Sequence, residues 1–356
     1  MLTACSPSAM STATLCSCLR LDREVLTDMS MASTGESPDI VTRLEDHFEL
    51  RSLCLELRRR SSGRHSEILE YESRARPGGV IVKRSTDTIE GHEVEAKIVR
   101  EYEALQTIRK SLPKQLLDTV PQPLMIFKQS RALVLEAMSG TPLNRILKRE
   151  ANKIVGPLRS VRMRVLGGLT GQWLKQLHQA TRRELLLHSS SEFLAAVEER
   201  LERCRGIGVK ADEIRNAKRL LTDASHKIEG HPIPVAARQG DFIPQNILVD
   251  GYRLRVVDFE NFSQSDCIYQ DVATFISYLQ AVSAFPYYSQ RALLKLSQAF
   301  LKAYGLSGDE FPLRLYLARA VIWLISELNL DGAFLQIRLQ LLREQLHRVC
   351  GELAYG

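Results

Sequence analysis

From about Asp46 the chain sets apolar and polar residues in short alternating runs, each closed by turn residues. Residues 53–59 form the first run, Ser61-Ser62-Gly63-Arg64 is a turn signal, and 68–71 resumes the extended pattern. Pro77-Gly78-Gly79 turns the chain again. Val80-Ile81-Val82-Lys83 then reads as a strand, because branched side chains suit a pleated, half-buried surface. The period changes after it. Val94, Ile98, Leu105 and Ile108 recur at helical steps, and Glu101 stands where that stripe asks for an apolar residue. Pro121-Gln122-Pro123 breaks the pattern, since proline lacks the amide donor a helix needs. Two more strand runs follow, 124–127 and 132–135, before a second break at Gly140 and Pro142.

Beyond that break the character is helical. Residues 166–178, 192–204 and 211–228 carry helical periodicity, as do 289–304, 313–328 and 334–349. One β island interrupts them, 247–249 and 254–257, joined by the hairpin signal Asp250-Gly251. A strand-rich part with one helix, followed by a helix-rich part, predicts an α+β arrangement of two lobes. The expected division is an N-lobe over 46–138 and a helical C-lobe over 139–356, with the boundary near Met138. Residues 1–45 are rich in Ser, Thr, Met and Ala and are expected to be a disordered extension, with Met29 or Met31 as alternative starts. They lack the basic start and unbroken apolar run of a signal peptide. No stretch approaches the roughly twenty apolar residues needed to span a bilayer.

Composition narrows the class. Hydrophobic residues make up 44% and charged residues 25%, ordinary for a globular protein with a sizeable core. The net charge of +6 is mild and its basic residues are scattered, so Arg58-Arg59-Arg60 reads as a solvated face and no nucleic-acid partner is expected. Seven cysteines spread over the chain suit a reducing compartment, and a cytoplasmic location is expected. Cys16-Ser17-Cys18 has no neighbours to complete a four-ligand metal site.

The chemistry concentrates in Gln239-Gly240-Asp241-Phe242-Ile243-Pro244-Gln245-Asn246-Ile247-Leu248 and in Val257-Asp258-Phe259-Glu260. Two acids and an amide bracket the predicted hairpin. Phosphoryl transfer needs such a set: a carboxylate to orient and deprotonate the attacking hydroxyl, and oxygen ligands to hold Mg²⁺ against the triphosphate. The Asp241-to-Asn246 spacing matches the D-x-x-x-x-N of a kinase catalytic loop. Lys83 ends a strand, where a cation can reach nucleotide phosphates. The carboxylate of Glu101, on an otherwise apolar stripe, needs a partner if buried, and Lys83 is the natural one. Glu95 and Glu103 are alternatives on the same helix.

These segments resemble the aminoglycoside phosphotransferase and choline kinase-like family, with its signature H-G-D-x-x-x-x-N-I-L followed by I-D-F-E. Arg100-Glu101-Tyr102-Glu103-Ala104-Leu105 is similar to the family's R-E-Y-x-x-L helix. The resemblance covers roughly residues 50 to 280 and implies a bilobal protein kinase-like fold, ATP and Mg²⁺, and a small-molecule hydroxyl acceptor. It implies Asp241 as catalytic base, and Asn246 and Asp258 as metal ligands. Gly63 would lie in the phosphate loop, and Lys83 and Glu101 would form the phosphate-facing pair. Glu136 and Met138 would belong to the adenine-binding hinge, with Ile81 and Leu248 sandwiching the base. Asp271 and His178 match family positions expected to be structural. Gln239 and Ile243 stand where many members have histidines, which bears on loop geometry. A kinase fold serving as an inactive binding or regulatory module, or an atypical protein kinase, would share part of this pattern. The filled positions Lys83, Glu101, Asp241, Asn246 and Asp258 speak for an enzyme, and the lack of an A-P-E element speaks against an ordinary protein kinase. The acids after Glu260 are matched by Arg and Lys, and Trp323 and Glu327 lie one turn apart. That balance predicts a neutral or anionic acceptor such as a sugar, not a polycationic aminoglycoside.

Overall fold

The computed structural model describes residues 55–62, 66–73, 79–85, 92–128, 130–328 and 335–354. Its first strands are β1 (Leu55–Ser62), β2 (Ser66–Ser73), β3 (Val80–Ser85), β4 (Pro123–Phe127) and β5 (Ala132–Glu136). They form one antiparallel sheet in the order β1-β2-β3-β5-β4. The period-2 alternation decides which side each residue serves. Val80 and Val82 join Leu69, Tyr71, Phe127, Ala132 and Val134 in a small core on one face. Ile81 and Lys83 point to the other face, opposite Leu135 and Leu133, where helix α1 (His92–Ser111) packs. Ser61 and Ser62, expected to open a turn, belong to β1, so the connection to β2 is shorter than the sequence suggests. Gly63, assigned to the phosphate loop, lies outside the described residues, as does the N-terminal extension.

The helical part contains α2 (Leu143–Glu150), α3 (Ser160–Ala180), α4 (Ser190–Gly206) and α5 (Ala211–Lys227). It continues with α6 (Tyr269–Ser283), α7 (Gln290–Tyr304), α8 (Phe311–Ser326) and α9 (Leu335–Ala354). Helix α8 packs against α4, α6 and α9, and its buried residues, from Leu313 to Ile325, occupy all sides of the helix, as in a helix enclosed by others. Helices α3 and α7 touch backbone to backbone, because Gly167 and Gly171 leave no side chain between them. Among the described residues three small sheets lie in this part, and two of them carry the chemistry-bearing segments. β10 (Ile247–Asp250) pairs with β11 (Arg253–Val256) on one side and with β6 (Thr141–Pro142) on the other. β9 (Val235–Arg238) pairs with β12 (Ser263–Cys267), and β7 (Leu186–Leu187) with β8 (Pro232–Ile233). Among the described residues no helix is long and apolar enough to cross a membrane.

Candidate active site

The loop after β9 is held from within. Phe242 is fully buried and stacks on Trp173, ring centroids 5.8 Å apart, which pins the backbone between Asp241 and Ile243. Gly240 adopts φ +98°, and a Cβ there would fall 2.0 Å from the carbonyl oxygen of Asn261, so glycine is required twice over. The backbone N–H groups of Gln239 and Gly240 donate to the two oxygens of Asp271, at 2.7 and 3.0 Å. Asp271 thus has the structural role expected of it. Asn246 follows one 3-10 turn later. Its Nδ2 donates to both the carbonyl and the Oδ2 of Asp241, each at 3.0 Å, which fixes the carboxyl and leaves the Asn246 Oδ1 to face other partners.

Gln239 explains how the loop tolerates the missing histidine. Its Oε1 accepts from the Asp241 N–H at 2.8 Å, and its Nε2 donates to the carbonyls of Val257 and Asp258 at 3.1 and 2.6 Å. One amide therefore ties the Asp241 loop to the Asp258 segment. A neutral imidazole offers one donor and one acceptor, and the glutamine offers the same with a second N–H. His178, read as a packing residue, is buried edge-on against Tyr304 and bonded to its hydroxyl at 2.6 Å.

The second acid is presented under strain. Asp258 has φ +64°, uncommon for any residue with a side chain, and is anchored by the fully buried Phe259. Its Oδ1 accepts from Lys83 Nζ at 2.8 Å. The same ammonium donates to Glu101 Oε2 at 2.8 Å and lies 3.3 Å from Glu260 Oε2. The expected Lys83–Glu101 pair is therefore present, with Glu101 buried at 3% exposure, while Glu103 is exposed and the side chain of Glu95 is outside the described set. Lys97, one turn before Glu101 on α1, also pairs with Glu260.

Charge in this site is unbalanced. Among the described residues, Glu101, Asp258 and Glu260 meet Lys83 and Lys97, and Asp241 adds a carboxyl that feels the charge of Asp258. Burial works to lower the Lys83 pKa, but Asp258 and Glu101 outweigh it and hold the ammonium above its usual range. Burial pushes the Glu101 carboxyl up, against the pull of Lys83. Asp241 is pushed up to about 7, first by burial and then by the charge of Asp258, with the Asn246 hydrogen bond opposing. Among the described residues, one buried oxygen of Asp241 and one of Glu101 have no hydrogen-bond partner. Carboxylate oxygens of Glu101, Asp258 and Glu260 all lie within 4.8 Å of one another. An excess of negative charge, oxygen donors and orphaned carboxylate oxygens fits a hard divalent cation such as Mg²⁺.

The flanking positions lie on β3, on β10 and in the connection after β5. Ile81 is half-buried on the same sheet face as Lys83, and Leu248 is half-buried on β10. Gly140 brings the connection after β5 against Leu248, where an added Cβ would stand 3.0 Å from the Leu248 Cβ. Glu136 is exposed, and its N–H is bonded to the Gln122 carbonyl. The Met138 N–H has no hydrogen-bond partner among the described residues. On the other side of Asp241 lies a cavity of about 640 Å³, whose wall includes Trp323 and Glu327. Sequence reading missed Lys97, the multiple bonds of Gln239, and Arg319 in this wall. Of these, Lys97 carried a signal, since it sits four residues before Glu101 and thus on the same helix face.

A small sheet with an inward lysine paired to a helix carboxylate, set over a helical lobe bearing an Asp–Asn loop and a strained Asp, defines a bilobal kinase-like fold. Comparison with known proteins bears on this at the level of fold. No protein-family model and no curated protein sequence matches the chain. Among solved structures, the ternary complex of streptomycin, ATP and APH(2″)-IIa is 15% identical, with TM-score 0.56, covering 90% of this chain and 99% of that one. The aminoglycoside phosphotransferase APH(4)-Ia is 12% identical, with TM-score 0.60, covering 89% of this chain and 99% of that one. A macrolide 2′-phosphotransferase from Brachybacterium faecium is 13% identical, with TM-score 0.50, covering 88% and 98%. The chain has the fold of the aminoglycoside phosphotransferases, and the likeness runs along nearly its whole length.

Proposed function

We propose that this protein is an ATP-dependent phosphotransferase that moves the γ-phosphoryl group to a hydroxyl of a small molecule, a sugar or similar compound. The observation that carries the reading is the meeting of Lys83, Glu101 and Asp258 beside an Asp241 whose free, buried oxygen has no partner. The nucleotide binds between the lobes 46–138 and 139–356. Its base is held between Ile81 and Leu248, with the backbone of Glu136 and Met138 at its edge, and Gly63 belongs to the loop over the phosphates. Lys83, oriented by Glu101, donates to phosphate oxygens.

Asn246 and Asp258 would hold Mg²⁺, which would neutralise phosphate charge. Asp241 orients the acceptor hydroxyl and takes its proton as that oxygen bonds to the γ-phosphorus and the bond from the γ-phosphorus to ADP breaks, releasing ADP. A neighbouring structure that holds streptomycin and ATP, and another that is a macrolide 2′-phosphotransferase, support a small-molecule acceptor.

A thermal-shift titration tests the nucleotide site. Ligand binding raises the melting temperature by mass action. Mg-ATP is expected to raise that of the unaltered protein, and Asp258→Ala and Asn246→Ala to abolish most of the rise. Asp250→Ala keeps it, because Asp250 is exposed in the hairpin and engaged with Arg255 at 3.1 Å. Equal shifts in all three variants would remove the metal roles.

A further inference from the structure

The cavity before Asp241 is walled by many charged side chains, and nearly all are matched. Glu327 pairs with Arg200, Glu199 with Arg203 at 2.8 Å, and Glu260 with Lys97 and Lys83. Asp271 is taken by backbone N–H groups. Arg319 differs. It projects from α8, lines the cavity, and has no hydrogen-bond or ion-pair partner among the described residues. Its guanidinium carbon lies 5.9 Å from the ring centroids of both Phe193 and Tyr316.

Aromatic faces hold such a plane in place and leave its five N–H donors unused. On the same wall, Arg238 meets Asp266 at 3.2 Å and keeps a buried Nε without a partner. Asp266 itself is not part of the wall. Arg238 also donates to Gln270 Oε1 at 2.6 Å, whereas Arg319 feels the charge of Asp266 without an ion pair to it. Burial disfavours the charge of Arg319, a cost that an incoming anion offsets.

We infer that the acceptor carries, besides its reacting hydroxyl, an anionic carboxylate or phosphate group, which Arg319 receives with the help of Arg238. The reacting role of that compound rests on the phosphotransferase reading, while the anion site rests on the cavity. A planar guanidinium suits either anion, because both present paired oxygens to its fork. The volume of about 640 Å³ accommodates a compound the size of a sugar acid or sugar phosphate.

Calorimetric titration of the full chain with glucose, gluconate and glucose 6-phosphate, in the presence of Mg-ADP, tests this. At least one of the two anions is expected to bind ten times tighter than glucose, and which one does distinguishes a carboxylate site from a phosphate site. Arg319→Ala is expected to weaken that anion by about tenfold to a hundredfold, the loss of a charge-assisted hydrogen-bond pair. Arg319→Lys, which keeps the charge and stands in if the alanine variant fails to fold, recovers part of the affinity. Three results would overturn the inference: glucose binding as well as both anions, neither anion binding, or anion affinity within twofold in both variants. Tight anion binding without ADP release from any compound would sink the phosphotransferase reading and leave the anion site standing. ADP release with glucose and no preference for anions would do the reverse.

Discussion

One oxygen of Asp241 is bonded to Asn246, and the other is buried with no partner, so this carboxyl pays for its position in charge. Pushed up to about 7, it holds in the folded state a proton that the unfolded chain releases near pH 4. Between those values the native state binds more protons than the unfolded one, so stability falls as pH rises through the window. Asp241→Asn removes the titration. Its melting temperature is expected to exceed that of the unaltered protein at pH 8 and to approach it at pH 5; a constant difference across that range would contradict the assignment.

Several of these residues were legible in the sequence. Glu101 declared itself by breaking an apolar stripe, and Asp241, Asn246 and Asp258 by spacing. Gln239 read as a departure, and its threefold bonding emerges when β9 and the Asp258 segment come together. Arg319 counted in the sequence only as one of the cations matching the acids after Glu260, because its lack of an ion pair depends on how α4, α8 and β12 pack.

At the scale of elements, the contact of α3 with α7 rests on two glycines. A Cβ on Gly171 would stand 2.2 Å from the carbonyl oxygen of Phe300, and one on Gly167 2.2 Å from that of Leu296. Gly168, between them, would meet nothing within 4 Å. Gly171→Ala is expected to force the helices apart and cost about 1–3 kcal/mol or more, as overpacking does. Gly168→Ala is expected to gain up to about 1 kcal/mol from helix propensity. Chemical denaturation of both variants checks the contrast, and equal changes would refute the close approach.

Helices with one apolar stripe, such as α1 and α7, were visible in the sequence. Helix α6 was not, with residues on all its sides buried from Tyr269 to Val282, although α8, enclosed in the same way, was read over 313–328. Helix α2 is eight residues long and starts directly after Pro142, a residue that reads first as a break. The strands β6, β9 and β12 are ordered by their pairing partners, which local periodicity does not encode.

Across the whole molecule, the site joins elements far apart in the chain. Lys83 comes from the sheet, Glu101 and Lys97 from α1, and Asp258 and Glu260 from the helical lobe. The division into a strand-rich and a helix-rich part was legible because strand runs prevail before the break at Gly140 and Pro142 and helical periodicity after it. The cavity wall beside Asp241 was less so, since α4, α8 and the loop after β9 meet there from three stretches of chain. Phosphoryl transfer from ATP to a hydroxyl is the central claim, and acceptor-dependent ADP release measures it directly. The purified protein with Mg-ATP is expected to release ADP faster when a suitable sugar, sugar acid or sugar phosphate is added. Asp241→Asn is expected to lower that increment on the order of a hundredfold or more, as loss of a positioned general base does. An increment that survives in Asp241→Asn, or none with any hydroxyl compound in a broad panel, would contradict the account.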